Sequence, residues 1–253
     1  MAVLLALNLP ATLPLWKAAV GCIFAIAVVK QLFGGLGCNF ANPAITGRVF
    51  LLLSFAGDMT TWVKPFYYHG LSIGNQLSSS AGSLDLDAVT SATPLVTGTE
   101  SLSNLFLGNV GGCIGETSAL ALLLGGLFLI FTRIISPSTP IAYLGSLGIL
   151  TFFHALATGG SLTEVPYALL SGGVMIGAFF MATDYVTTPI TTKGKWIFGI
   201  GCGILTFVIR EFASMPEGCS FSILLMNLLT PYIDKFTMTK PLGAKPIKQK
   251  EEA

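Results

Sequence analysis

Long apolar runs, broken by glycine and proline, constrain the fold of this chain more than any other feature. They occupy residues 13–33, 44–55, 119–134, 141–157, 165–182, 196–208 and 221–233. Only 10% of the 253 residues are charged, whereas soluble domains carry roughly 25%. So few charges cannot solvate a soluble surface, and the mean hydropathy is +0.77. We therefore predict an all-α, polytopic membrane protein. The net charge of +1 gives no excess of basic residues of the kind that nucleic-acid-binding proteins show, so we expect no nucleic-acid partner.

Three short segments interrupt the apolar pattern. Residues 34–43 read GGLGCNFANP, residues 108–115 read GNVGGCIG, and residues 183–189 read TDYVTTP. Irregular backbone at membrane depth is tolerated only where it is buried in protein or lines a cavity. Interrupted helices in matching halves of a membrane protein are typical of inverted repeats with a central site. We predict that these breaks face inward, toward a ligand or an ion.

Three ionisable residues, Arg48, Glu116 and Asp184, lie in or beside the breaks. A charge inside a bilayer costs at least ~2.5 kcal/mol, so each is a functional candidate. The planar guanidinium of Arg48, with its several N–H donors, suits an anionic or carbonyl-rich ligand. The alternative is a carboxylate or carbonyl partner within the bundle. Glu116 either handles an ion or favours the start of the following helix. Asp184 lies near the predicted cytoplasmic rim, where a capping or loop role competes with a place on an ion pathway.

The sequence contains no motif of a catalytic nucleophile, a phosphate-binding loop or a dinucleotide site, so we assign no catalytic residue. The five cysteines match no zinc or iron–sulfur spacing, and we predict no metal site. Cys38 and Cys113 each adjoin a break, which leaves a shared metal or cluster as the alternative to structural roles. Redox chemistry would therefore require an organic cofactor.

Basic residues indicate how the chain is oriented. Arg133, Lys193, Lys195 and the lysine-rich tail over residues 234–253 fall on one side if the spans alternate. The positive-inside rule places that side in the cytoplasm. The long polar loop over residues 57–103 then lies outside.

That loop contains a run of small and hydroxylated residues, Asp87-Ala88-Val89-Thr90-Ser91-Ala92-Thr93-Pro94-Leu95. Pro94 biases Thr93 toward an extended conformation, which can hold the Thr93 hydroxyl outward. Two interpretations arise from the residues alone. The run is either an ordinary hydroxyl-rich loop or a site of covalent modification.

The chain opens on an apolar run over residues 2–9 that is too short to cross a bilayer. No basic segment precedes it and no typical cleavage site comes after it, so it does not resemble a signal peptide. We interpret it as the end of a helix whose beginning is missing.

Several of these segments together resemble the NqrB/RnfD family, and within it the D subunits of Rnf complexes. The likeness covers nearly the whole chain. It is carried by Asn42-Pro43-Ala44, by Gly47-Arg48, by residues 108–119, and by Met181-Ala182-Thr183-Asp184 followed by Thr188-Pro189. The resemblance implies a single membrane domain over residues 1–253, with a urea-transporter-like bundle of two inverted repeats and broken helices. The additional N-terminal helices usual in the family are missing here.

The resemblance also implies flavin. Family members carry FMN joined through its phosphate to a threonine, which corresponds to Thr93. The surrounding recognition segment then comprises Asp87, Thr90, Ser91, Ala92, Pro94 and Leu95, with Ser91 in place of the usual glycine. Some members hold a second, non-covalent flavin, riboflavin. We place it at the break over residues 34–48, with Asn42 and Arg48 as binding candidates.

The implied function is electron transfer within a complex that couples ferredoxin oxidation and NAD⁺ reduction to Na⁺ or H⁺ export. The chain would be one subunit of this translocase and not catalytic alone. Its partners would be flavin- and iron–sulfur-bearing Rnf subunits, membrane lipid, and a flavin transferase for maturation. The location would be the cytoplasmic membrane of a bacterium or archaeon. The alternative is a solute channel or transporter on the same broken-helix fold.

Overall fold

The computed structural model describes residues 2–35, 37–62, 101–108, 110–213 and 218–238. All regular structure within these ranges is helical, which confirms the predicted all-α class for this part of the chain. The helices are α1 (Ala2–Leu7), α2 (Leu15–Ile26), α3 (Pro43–Ser54), α4 (Ala56–Met59), α5 (Leu102–Leu107), α6 (Ala119–Phe131), α7 (Ser138–Thr158), α8 (Glu164–Leu170), α9 (Val174–Ile176), α10 (Thr192–Phe212) and α11 (Gly218–Thr237). The run around Thr93 lies outside the described residues.

Two helices, α7 and α10, are each 21 residues long and apolar enough to cross a membrane. The bent pair formed by α8 and the segment over residues 174–181 qualifies as a third span. Large apolar side chains stay exposed on the outside of the bundle, among them Phe128, Phe131 and Phe153. An extended apolar surface of this kind fits a lipid environment, and it confirms the prediction of a multi-pass membrane protein.

One predicted span differs from the structure. The apolar run over residues 165–182 predicts a continuous helix, but the chain bends by 63° between α8 and α9. Gly172 at the bend has a φ of 65°, which favours glycine because it has no Cβ. Arg210 of α10 donates to the carbonyl oxygens of Ala168 at 2.7 Å and Ser171 at 3.0 Å. These bonds satisfy carbonyls that the bend leaves without helical partners.

Two spans end in a π-helical turn, Ala27–Gln31 after α2 and Gly177–Met181 after α9. Each turn leads into a non-helical connection and then into the next helix. The first connection ends at Pro43, the first residue of α3, and the second contains Pro189. The predicted breaks over residues 34–43 and 183–189 are these two connections. The tail predicted from residue 234 begins inside a helix, because α11 continues to Thr237.

Helix α3 occupies the centre of the bundle. On one side Ile45 and Val49 join a core built from α7, α9, α10 and α11. On the other side Ala44 and Leu51 join a core built from α1, α2 and the N-terminal connection. A helix buried between two cores exposes little of its surface to lipid, so a polar side chain on α3 must find its partners within the protein.

Helices α7 and α10 pack at close range through glycines one turn apart. A Cβ on Gly199 would lie 2.7 Å from the carbonyl oxygen of Thr139, and one on Gly203 would lie 2.8 Å from that of Tyr143. Both obstacles are backbone atoms of α7. Small residues spaced by four are a common means of close helix approach in membranes.

We expect Gly199→Ala and Gly203→Ala each to destabilise the fold by about 1–3 kcal/mol, because the added methyl group forces the two helices apart. Denaturant unfolding of the purified protein in detergent measures the loss. Gly145→Ala is the matched control on α7, since nothing lies within 4 Å of a Cβ there. A loss in the control equal to that of Gly199→Ala contradicts the assignment.

Candidate functional site

The start of α3 is set by its first residues. The Asn42 side chain accepts a hydrogen bond from the Ala44 N–H at 3.0 Å, and Pro43 occupies the first helical position, where its missing N–H costs nothing. Helix growth from this point places Arg48 one and a half turns inside the bundle. Only 3% of Arg48 is exposed.

Arg48 forms a buried ion pair with Glu116. The Arg48 Nη1 lies 3.3 Å from the Glu116 Oε1, and each side chain is only 4% exposed. The same Nη1 donates to the Asn8 Oδ1 at 2.8 Å. Desolvation of two such charges is costly unless they are paired and hydrogen-bonded, and both conditions are met here. The two charged residues that the sequence placed beside separate breaks are therefore in contact.

The second glycine-rich break wraps around this pair. The Glu116 Oε2 accepts from the Cys113 N–H at 3.4 Å, and the Arg48 Nη2 donates to the Cys113 Sγ at 3.4 Å. The Cys113 thiol donates to the Asn8 carbonyl at 3.1 Å. Glu116 does not cap α6, since the side chain that accepts from its first turn is that of Ser118. Cys113 is buried in this cluster, whereas Cys38 is exposed.

Residues before α2 hold the break in place. The Gly115 N–H donates to the Leu7 carbonyl at 2.7 Å, and the Ile114 N–H donates to the Leu9 carbonyl at 3.2 Å. A Cβ on Gly115 would lie 2.8 Å from the Leu7 Cβ. The short N-terminal segment thus provides both backbone acceptors and the Asn8 side chain to the centre of the bundle.

The bend between α8 and α9 completes the surroundings of the pair. A Cβ on Gly173 would overlap the Glu116 Oε1 and lie 3.6 Å from the Arg48 Nη1. Only glycine therefore lets the backbone approach the carboxylate so closely. The Gly173 carbonyl accepts from the Cys219 thiol at 3.2 Å, which connects the bend to α11. We call Asn8, Arg48, Cys113, Glu116 and Gly173 the central polar cluster.

Asn42 links the two proline-bearing connections. Its Nδ2 donates to the carbonyl of Met181, the last residue of a π-helical turn, at 3.3 Å. The Asn227 amide, oriented to satisfy its neighbours, accepts from the Asn42 N–H at 3.1 Å and donates to the Thr187 carbonyl at 3.3 Å. The predicted breaks over residues 34–43 and 183–189 are thus brought together by two asparagine side chains.

Asp184 lies apart from the central polar cluster, in the connection before α10. Its Oδ2 accepts from the Thr187 hydroxyl at 3.1 Å. Burial raises the pKa of Asp184, and hydrogen bonds from Thr187 and from the Tyr185 and Val186 N–H groups partly oppose that shift. Within the described residues, no hydrogen bond or ion pair joins Asp184 to Arg48 or Glu116.

The structure also contains a cluster of buried hydroxyl side chains, which the sequence analysis did not predict. The Tyr143 hydroxyl lies 2.7 Å from the Thr206 Oγ1, which in turn lies 2.7 Å from the Ser222 Oγ. Tyr143 also donates to the Cys219 Sγ at 3.1 Å. These hydroxyls occur singly along three apolar helices, α7, α10 and α11, so no local signal marked them. Asn8 and the Gly172-Gly173 pair did carry a signal, as polar or flexible residues within apolar runs.

These features define a polytopic helical membrane protein whose broken helices meet around a buried ion pair. The chain belongs to the NQR2, RnfD, RnfE family, whose model matches residues 1–243.

Its relatives are similar over most of the chain. The D subunit of the Na(+)-translocating ferredoxin:NAD(+) oxidoreductase complex of Acetobacterium woodii is 48% identical over 260 residues, which cover 99% of this chain and 74% of the relative. The D subunit of the proton-translocating ferredoxin:NAD(+) oxidoreductase complex of Clostridium ljungdahlii is 42% identical, with 96% and 73% covered. The D subunit of the ion-translocating oxidoreductase complex of Stutzerimonas stutzeri is 41% identical, with 95% and 73% covered.

We expect Arg48→Met to destabilise the fold by about 3–5 kcal/mol, because it leaves the Glu116 carboxylate buried without its counter-charge. Unfolding of the purified protein in detergent measures the change. Asp58→Asn is the matched control, since it removes a carboxylate that pairs with Lys17 and is 43% exposed. That ion pair is worth about 0–1 kcal/mol. Equal losses in the two variants contradict the assigned importance of the buried pair.

Proposed function

We propose that this chain is an electron-transferring flavoprotein subunit of a membrane complex that couples ferredoxin:NAD⁺ electron transfer to Na⁺ or H⁺ translocation. The observation that carries the proposal is 48% identity, over 99% of this chain, to a protein with that complex in its name. Other flavin- and iron–sulfur-bearing subunits are the proposed partners. The relatives are named after both Na⁺ and proton translocation, so the proposal includes either ion.

The proposed covalent cofactor is FMN, held by a phosphoester to the Thr93 Oγ. It is supported by the motif over residues 87–95, in which Thr93 is followed by a proline. Bound FMN would supply electron transfer in steps of one or two electrons, which none of the protein's own side chains provides. A flavin transferase is the proposed maturation partner. The proposed orientation places this loop outside and the lysine-bearing end of the bundle in the cytoplasm.

A non-covalent riboflavin at the break over residues 34–48 stays a prediction. Asn42 and Arg48 do not fit it as binding residues, because both side chains are buried and bond to other parts of the protein. Asn42 caps α3 and donates to Met181, while Arg48 contacts Asn8, Glu116 and Cys113. We therefore assign both side chains to the architecture of the bundle and give the riboflavin no residue.

The proposed fold is a pair of inverted repeats, as in urea transporters. Two stretches with the same order of features support it. Helix α2 ends in a π-helical turn and is followed by Asn42-Pro43 and α3. Helix α9 ends in a π-helical turn and is followed by Thr188-Pro189 and α10. Asn42 and Asn227 join the two connections at the middle, as expected of a shared central site.

The proposed place of ion coupling is the central polar cluster. Glu116 is a buried carboxylate whose charge is balanced by Arg48 at 3.3 Å. A Na⁺ or H⁺ that reaches the Glu116 Oε1 competes with the guanidinium for the same oxygen. Movement of Arg48 would therefore accompany cation binding and give the carboxylate two discrete states. Such a two-state element is what coupling between distant events requires.

We expect Thr93→Val to abolish covalent flavin, because no hydroxyl remains to form the phosphoester. The protein is expressed with a flavin transferase, denatured and run on a gel, and the fluorescence that stays with the band is measured. Thr97→Val, in the same loop but outside the motif, should keep the signal. If the wild-type band is not fluorescent, or if Thr93→Val fluoresces like the control, the cofactor assignment fails.

We expect Glu116→Gln to leave covalent flavin unchanged and to lower ion transport by the assembled complex, because an amide cannot exchange a proton or neutralise a cation. Ion uptake into vesicles is measured per mole of flavin-bearing protein. Glu164→Gln is the control, since this carboxylate is exposed and accepts from the Ser161 N–H at 3.1 Å. Wild-type transport in Glu116→Gln assigns Glu116 to structure alone.

A further inference from the structure

A pocket of about 520 Å³ lies at the end of the bundle where α6 stops and where α7 and α10 begin. The connection after the π-helical turn Gly177–Met181 forms its remaining wall. The lining consists of Ile130, Arg133, Ile134, Ile135, Ser136, Pro137, Thr139, Thr183, Tyr185, Thr188, Pro189, Ile190 and Lys195. We call this the rim pocket. It is separate from the central polar cluster and shares no residue with it.

The charge of the rim pocket has one sign. Among the described residues that line it, the ionisable ones are Arg133, Lys195 and Tyr185, and none is a carboxylate. Within the described part of the chain, no hydrogen bond or ion pair engages the Arg133 guanidinium or the Lys195 ammonium. Two carboxylates lie close to the pocket without lining it. Asp184, between the lining residues Thr183 and Tyr185, accepts from the Thr187 hydroxyl, and Asp234 accepts from the N–H of the lining residue Ile190.

Arg133 is held at this place by an uncommon backbone conformation. Its φ is 58°, the left-handed region in which a helix usually ends on glycine. The Ile134 N–H donates to the Leu129 carbonyl at 3.0 Å, and the Arg133 N–H donates to the Ile130 carbonyl at 2.9 Å, which closes the end of α6. Arginine occupies this position at a steric cost that glycine would avoid, and an observed outlier of this kind indicates a role for the side chain.

The other walls of the pocket also favour an anion. Helix α7 begins beside Ser136 and Pro137, and no side chain caps its first turn within the described residues. The positive end of a 21-residue helix therefore adds to the two basic side chains. The Ser136 and Thr139 side chains add hydroxyl groups, which can donate to phosphate oxygens. Guanidinium, ammonium and hydroxyl donors around one pocket suit a phosphate group.

The surroundings of the pocket distinguish a lipid from a soluble phosphate. Phe131 is 88% exposed, Ile190 74% and Ile141 56%. Ile190 lines the pocket, Phe131 follows the lining residue Ile130, and acyl chains would contact all three exposed side chains. A basic pocket between membrane helices with an apolar exterior is the arrangement that recognises anionic lipid headgroups.

We propose that the rim pocket binds the phosphate headgroup of an anionic phospholipid, with Arg133 and Lys195 as its charged ligands and the acyl chains along the outer face of α6 and α7. The lipid would join the ends of α6, α7 and α10. The Lys193 side chain is exposed and lies outside the lining, so it takes no part in the site.

The test uses the full chain in nanodiscs of phosphatidylcholine with a small, varied fraction of phosphatidylglycerol. Native mass spectrometry after release measures the fraction of protein that retains phosphatidylglycerol. We expect Arg133→Gln with Lys195→Gln to lower the apparent affinity for phosphatidylglycerol about 25-fold. Each basic side chain near an anionic lipid contributes about fivefold to that affinity. Arg133→Lys with Lys195→Arg keeps both charges and should largely restore retention.

Lys193→Gln is the matched control and should retain phosphatidylglycerol like the wild type. An equal loss in this control overturns the proposal, because the effect would then be one of net charge. A second arm adds inorganic phosphate to nanodiscs of phosphatidylcholine alone. If phosphate binds and the binding is lost in Arg133→Gln with Lys195→Gln, while the wild type does not retain phosphatidylglycerol, the lipid assignment is overturned. Circular dichroism of every variant verifies that the helices are intact.

Discussion

The ion pair between Arg48 and Glu116 is the interaction on which the rest of the described structure depends. Two charges with side chains only 4% exposed must be compensated from several directions at once. Asn8 supplies an acceptor from the N-terminal segment, and Cys113 contacts both charges from the second break. The backbone at Gly173 closes the remaining side. Four separate parts of the chain are therefore positioned by one requirement: each of the two buried charges must be paired and hydrogen-bonded within the protein.

This requirement explains why the helices are broken where they are. In a continuous helix through residues 165–181, every backbone N–H and carbonyl would be hydrogen-bonded within the helix. The backbone would then not come close to Glu116. The bend releases carbonyls, and Arg210 takes up those of Ala168 and Ser171. A second arginine, on a different helix from Arg48, thus supplies the hydrogen bonds that the irregular backbone lacks. The carbonyls that the bend frees are satisfied by a protein side chain and not by solvent, as the bilayer demands.

Sequence reasoning predicted much of this arrangement because membrane depth makes certain residues conspicuous. Arg48 and Glu116 stood out as charges among apolar residues, and runs of glycine, asparagine and proline marked two of the breaks. Their pairing was not predictable, since the partners are 68 residues apart. Arg48 was equally consistent with a bound ligand or a carbonyl partner, and Glu116 with the start of the following helix. The bend at Gly172 was missed because, apart from Ser171, the flanking residues are apolar and a glycine pair is tolerated in membrane helices. The buried hydroxyls of Tyr143, Thr206 and Ser222 become a group only when three helices are packed together.

The π-helical turns at Ala27–Gln31 and Gly177–Met181 have a geometric consequence for the connections after them. Each turn corresponds to one residue more than an α-helix needs, as the bond from the Ala182 N–H to the Gly177 carbonyl at 2.7 Å illustrates. With 3.6 residues per turn, one extra residue rotates the subsequent chain by about 100° about the helix axis. A span that faces lipid along its length can therefore direct its final residues toward the interior. Removing a single residue from either turn would rotate the adjoining connection and disrupt the contacts that Asn42 and Asn227 make between the two connections, while leaving the composition of the span almost unchanged.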